Sequence, residues 1–272
     1  MRRVVPAVLA MTVMTVMGAF AAADTPAAGF SEAFLAPSPA GWSVADYAFS
    51  HPGFDTDWSR ERLGWNQGLE LGLVPRRGPG NRFSGAAIRR LNKSHYGRYE
   101  ITLQPGRGEG VVTGFFLYTG RYYGTRHDEI DIEFLGRDTR RLQAAWFVDG
   151  KMQSRWLDLG YDAALAPRRY VFEWHPDEIR WYAGDRLLLR IGGEEAALPQ
   201  LPGHLFINLW AADPSLAAWA GHAAADTRAR ARVTAVGFTP LAPRAAGQPK
   251  RAMPGAAAKT ATRAPAVPPS GE

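Results

Sequence analysis

The run HDEIDIEFLG at residues 127–136 puts three acids, Glu129, Asp131 and Glu133, at every second position, alternating with Ile130, Ile132 and Phe134. In a β-strand, residues two apart share a face. The apolar set therefore fixes the register by entering a core, and the acids are forced together on the opposite face, where like charges repel. Three uses fit these residue types. One is a solvated strand face, a second is a calcium site built from oxygen ligands, and the third is acid–base chemistry. In the third, crowding raises the proton affinity of one carboxyl while another stays ionised. The side-chain lengths favour this last use. Glu129 and Glu133 lie about 13 Å apart along an extended strand, both are the longer acid, and the central Asp131 is the shorter one. Two long side chains leaning together on a curved strand approach the roughly 5–5.5 Å separation at which paired carboxyls carry out double displacement at a sugar. An outer pair would do the chemistry and the central group would tune it, with the titration belonging to the cluster.

Such a strand needs a sheet to hold it. Between about Phe30 and Leu241 the chain consists of short β-rich or alternating runs broken by Gly, Pro, Asp and Asn, among them GRYEITLQP, GVVTGFFLYTG, RLQAAWFVDG and HLFINLW. Within RRYVFEWHPDEIRWYAGDRLLLRI, the segments HPDE and AGD are turn chemistry at hairpin spacing. The Ala-rich SLAAWAGHAAADTRARA has room for a turn or two of helix and otherwise reads as loop. These signals predict an all-β fold, an antiparallel β-sandwich. At 272 residues with 46% hydrophobic and 11% aromatic content, the chain has enough apolar material for one substantial core.

The ends read differently. Arg2 and Arg3, an apolar stretch from Val4 to Phe20 and the small residues of AFAAAD predict a secretory signal peptide over residues 1–23. A secreted or periplasmic mature protein that does not span the membrane follows from it. Residues 24–242 then form the folded domain, and the Ala/Pro-rich residues 243–272 are expected to be disordered. Of the formal charge of +6, most sits on the leader and on Arg244, Lys250, Arg251, Lys259 and Arg263 of the tail, so the folded part is near neutral. The basic balance is therefore no argument for a nucleic-acid partner. With no cysteine, stability rests on the core, and thiol chemistry is excluded. The six histidines lack zinc-ligand spacing, and no nucleotide-binding or serine-nucleophile motif is present.

The segment DEIDIEFLG resembles the signature of family 16 glycoside hydrolases, which include lichenases, laminarinases and xyloglucan endotransglycosylases. HYGRYEITLQPGRGEGVVTGFFLYTG upstream, YVFEWHPDEIRWYAGDRLL downstream and INLW further on are similar to lichenase segments in the same order, so the likeness covers roughly residues 80–240. It implies a concanavalin A-like jelly roll with a concave substrate cleft and retaining cleavage of internal β-glycosidic bonds. Carried over by position, Glu129 is the nucleophile, Glu133 the general acid/base, and Asp131 assists. No cofactor is implied for catalysis, and a structural calcium is compatible with the family. A monomer acting on a polysaccharide is expected.

For substrate binding the likeness implies Arg89, Gln143, Trp210 and Trp219, the last two as aromatic platforms for sugar rings. Tyr122 and Tyr123 in TGRYYGTRHDEI are further candidates, and His127 stands beside the motif where it would steer a carboxylate. Where lichenases carry glucose-binding polar residues, this chain has Ala87, Ala145, Phe147 and Ala211. Arginines at 121, 126, 137, 140 and 141 flank the motif instead, and Arg suits the carboxylates of an acidic polymer. A subset of bacterial members similar to this chain trims succinoglycan-type exopolysaccharide. Two other functions remain open: a transglycosylase using the same covalent intermediate, and a polysaccharide-binding protein without turnover.

Overall fold

A computed structural model describes residues 28–35, 37 and 40–242 of the chain. The expected signal peptide at 1–23 and the expected disordered tail from 243 lie outside the described residues. The strands are β1 (Phe30–Glu32), β2 (Trp42–Val44), β3 (Thr56–Trp58), β4 (Leu63–Trp65), β5 (Leu69–Pro75), β6 (Phe83–Arg90), β7 (Gly97–Gln104) and β8 (Val111–Thr119). They continue as β9 (Asp128–Leu135), β10 (Arg141–Val148), β11 (Lys151–Asp158), β12 (Arg168–Trp174), β13 (Glu178–Ala183), β14 (Arg186–Gly192), β15 (His204–Ala211) and β16 (Ala229–Pro240). The Ala-rich stretch gives one turn of α-helix, α1 (Ala217–Ala220), after a short 3-10 turn at Pro214–Leu216. No helix of the described residues is long and apolar enough to cross a membrane.

The strands hydrogen-bond in the order β11-β10-β9-β8-β15-β6-β5-β16-β7-β12-β13-β14. The path folds at the short β5–β6 pairing into two facing antiparallel layers, a jelly-roll β-sandwich. Apolar residues from both layers meet between them: Phe134 sets its edge on Tyr170 with centroids 4.8 Å apart, Phe115 lies 5.6 Å from Phe172, and Trp146 lies 5.8 Å from Trp181. Ile130, Ile132 and Phe134 are fully buried in that core, as their alternation with the acids requires.

Strand β9 lies inside its layer, between β8 and β10. The β10–β11 hairpin turns on Asp149 and Gly150, both at positive φ (51° and 72°), the Asp-Gly chemistry of a two-residue turn whose twist matches the strands. That turn pairs Val148 with Lys151, and β10 in turn pairs Gln143 with Glu133, Ala145 with Asp131 and Phe147 with Glu129. From the other layer, the indole N–H of Trp181 crosses the core to donate to the Asp131 carbonyl at 3.0 Å. Trp174 is likewise buried, donating to the Pro199 carbonyl at 3.1 Å. Both are framework residues.

Candidate active site

Register carries the acid row across the sheet. Glu133 pairs with Gln143 on one side and Gly114 on the other, and Gly114 pairs with Asn208. Asp131 pairs with Ala145 and Phe116, Phe116 with Phe206, and Phe206 with Arg89. Glu129 pairs with Phe147 and Tyr118, and Tyr118 with His204. The cleft face is thus a grid with the acids in one column. A glycine is required at 114: a Cβ there would stand 2.6 Å from Asn208 Oδ1, which accepts the Gly114 N–H at 3.1 Å.

Glu129 and Asp131 are almost fully buried and Glu133 is half-buried. Their partners separate them. His127 Nε2 lies 2.6 Å from Glu129 Oε2, its ring stacked on Phe147 at 4.7 Å and edge-on to Tyr118 at 5.1 Å. Asp131 is held well above the ordinary carboxylate range, first by burial, then by the charges of Glu129 and Glu133 and by a hydrogen bond with Glu129. Glu133 is pushed up to about 8 by burial and by the charge of Glu129. Three crowded acids in low dielectric cannot all ionise, and the charge that raises the other two is on Glu129.

The fourth acid of the strand is a control. Asp128, also buried, accepts from Arg126 Nε and Nη2 at 3.1 and 3.2 Å and from the backbone N–H groups of Asp149, Gln200 and Leu201. It is a satisfied structural carboxylate. By contrast, Asp131 Oδ2 and Gln143 Nε2 are buried without a hydrogen-bond partner, a condition costing roughly 1–3 kcal/mol each that a sugar hydroxyl would relieve. Among the described residues no three His, Asp or Glu side chains are grouped so as to hold a metal ion.

The other sequence candidates fall in three places. Gln143 faces Glu133, and its Oε1 accepts the Trp219 indole N–H at 2.7 Å. Trp210 and Trp219 are buried in a second apolar cluster at the Glu133 end of the face, where Trp210 stacks on Phe54 at 4.0 Å. Their rings are mostly covered by protein, so Trp219 acts on the site through Gln143. Arg89, Tyr122 and Tyr123 gather at the opposite end: the Arg89 guanidinium lies 5.6 Å from the Tyr123 ring centroid, and Tyr122 packs edge-on against Tyr123. Tyr122 is 74% exposed.

Most of the flanking arginines already have partners. Arg126 pairs with Asp128 and Arg141 with Asp138, while Arg137 caps the carbonyls of Ala217, Ala218 and Trp219. Sequence reasoning passed over His204, Asn208 and Lys93. The first two share the even-numbered face of β15 with Trp210, so strand alternation starting from Trp210 could have found them.

This geometry has close counterparts among known proteins. The model of Glycosyl hydrolases family 16 matches residues 50–230, from before β3 into the start of β16. A β-glucanase of Paenibacillus macerans is 38% identical over 173 residues, 62% of this chain and 70% of that protein. Among solved structures, a Bacillus licheniformis β-glucanase aligns with a TM-score of 0.72 at 31% identity, covering 78% of this chain and 98% of that one. A prokaryotic β-1,3-1,4-glucanase (lichenase) derived from a mouse hindgut metagenome aligns with a TM-score of 0.74 at 28% identity, over 78% and 99% of the two chains. With an antiparallel jelly roll, the acid column on its cleft face and a family match over most of its length, the chain belongs to glycosyl hydrolase family 16 and is a glycoside hydrolase.

Proposed function

We propose that the protein is an exported, monomeric, retaining endo-β-glycanase that hydrolyses internal β-1,3/1,4-type bonds of a glucan-backbone polysaccharide and needs no cofactor for catalysis. The observation that carries this reading is the acid column itself: Glu129, Asp131 and Glu133 on the cleft face of β9, with His127 Nε2 2.6 Å from Glu129 and Glu133 pushed up to about 8 by burial and by Glu129. The β-glucanase names of the relatives support the bond class, and the leader-like N-terminus supports export.

In the first step Glu129 attacks the anomeric carbon while the Glu133 proton moves to the departing glycosidic oxygen. In the second, Glu133 takes a proton from water, which attacks the same carbon and releases Glu129. Asp131, its proton affinity raised by burial and by its two neighbours, hydrogen-bonds to Glu129 between them.

Incubating the mature protein with barley mixed-linkage glucan, laminarin, xyloglucan and an acidic bacterial exopolysaccharide, with mass spectrometry of the products, tests this. Oligosaccharides from at least one polymer are expected. Proton NMR should show the β-anomer first; the α-anomer as first product would overturn retention.

His127→Ala should lower kcat by roughly tenfold to a hundredfold, the equivalent of one hydrogen bond to a charged group at about 1.5–3 kcal/mol. Steady-state kinetics check it, and an effect on KM alone would move His127 from positioning Glu129 to holding substrate.

A further inference from the structure

At the Glu129 end of the cleft face, two cations stand without a counter-charge. Arg89, on β6, and Lys93, in the loop after it, both lie against Tyr123, with guanidinium and ammonium each 5.6 Å from its ring centroid. Both are half-buried, and neither forms an ion pair among the described residues. Among the described residues the half-buried Arg62, Arg76, Arg98 and Arg180 each meet an Asp or Glu, while the half-buried Arg90, Arg155 and Arg232, which do not, each donate to a backbone carbonyl instead. Among the described residues the Arg89 side chain's one polar neighbour is Nδ1 of His204 at 3.2 Å, which accepts from it only in the tautomer that does not donate to the Arg90 carbonyl 3.0 Å away. His204 registers the uncompensated field: burial first, then Arg89 and Lys93, push it down to about 4. It is therefore neutral at physiological pH and adds no third charge.

The place of this pair matters as much as its charge. Arg89 shares a row with Asp131, the register running Asp131, Phe116, Phe206, Arg89. Three strand spacings separate the ends, about 14 Å. Phe116 and Phe206 pave the floor between them, stacked face to face with centroids 5.0 Å apart. A chain of sugar rings lying over that floor from the acid column reaches Arg89 a few residues from the bond to be cut.

We propose that Arg89, Lys93 and Tyr123 form a subsite for a sugar carboxylate, so that the enzyme selects polysaccharides carrying an acidic residue a few sugars from the cleaved bond. The reading rests on the proposed glycanase activity and deepens it. A planar guanidinium accepts a carboxylate through two parallel hydrogen bonds, the ammonium adds a second donor, and Tyr123 offers a face to the ring. The flanking arginines of the acid motif are a poorer match, since Arg126, Arg137 and Arg141 are already engaged.

Titration calorimetry on the full chain carrying Glu129→Gln, which leaves ligands intact, tests the subsite. The probes are a neutral β-glucan tetrasaccharide, the same oligosaccharide oxidised at C6 to uronates, and one carrying a pyruvate ketal. Roughly tenfold tighter binding of a carboxylated probe at low salt is expected, falling with added NaCl. Adding Lys93→Gln should shrink that preference several-fold, and adding Arg89→Gln should abolish it. The better of the two acidic probes identifies the carboxylate source. Equal affinity for neutral and acidic probes, or a preference untouched by both substitutions, overturns the subsite. Turnover of the polymers by the unsubstituted chain decides the glycanase reading separately. Cleavage without acidic preference keeps that reading and loses this one, and acidic preference without any cleavage does the reverse.

Discussion

Glu129→Gln and Glu133→Gln are each expected to lower kcat on a cleaved polymer by more than about a thousandfold, and they should fail in different ways. Both replacements keep shape, and neither residue belongs to the core between the layers, so the circular dichroism spectrum should be unchanged. Without Glu129 no covalent intermediate forms, whatever the leaving group. Without the Glu133 proton, the first step is slow only when the leaving oxygen needs protonation. A β-glycoside with a nitrophenolate leaving group should therefore give Glu133→Gln a burst of one equivalent of phenolate followed by slow turnover, and give Glu129→Gln none. A burst from Glu129→Gln, or near-normal turnover by either variant, would remove these residues from their assigned steps.

The pH dependence follows from the same crowding. Because Glu133 holds its proton to about pH 8, kcat/KM should fall through that region on the alkaline side, as the acid is lost. Stability must respond too. Between pH 4.5, the ordinary value, and about 8, the folded chain keeps a proton on Glu133 that the unfolded chain has released. The folded state therefore loses stability as pH rises across that window and levels off above it. Glu133→Gln removes the ionisation altogether. Its Tm should exceed that of the unsubstituted chain at pH 9, and the gap should close toward pH 4. Thermal denaturation at those two pH values checks this, and a constant gap at both would locate the raised proton affinity elsewhere in the cluster. Catalysis and stability are here opposed at one residue, as expected where an ionisable group is kept in an unfavourable place for its chemistry.

The acid column was legible because a period of two needs no tertiary knowledge: once Ile130, Ile132 and Phe134 enter the core, the acids have only one face left. The sandwich class was legible for the same reason, from runs that alternate and turns that carry Gly and Asp. What local pattern does not encode is how far a side chain is covered by residues distant in the chain. Trp210 reads from sequence as an open platform, yet Phe54, from a loop over 150 residues earlier, lies flat on it. The meeting of Lys93, Arg89, Tyr123 and His204 likewise joins segments separated by 30 to more than 100 positions. By contrast, the pairing of Arg126 with Asp128 and Arg141 with Asp138 spans two or three residues and could have been anticipated.

The hydrogen bonds that finish the cleft span long stretches of chain. Gly114 meets Asn208 across 94 positions, Gln143 meets Trp219 across 76, and Thr56 meets Ala211 across 155. The acids themselves are made early, on a hairpin-flanked strand near the middle of the chain. Closing such long loops is entropically costly and slow, so the wall that shapes the acids depends on contacts the acid strand cannot make by itself. The catalytic face is therefore the product of long-range closure and not of the acid strand alone.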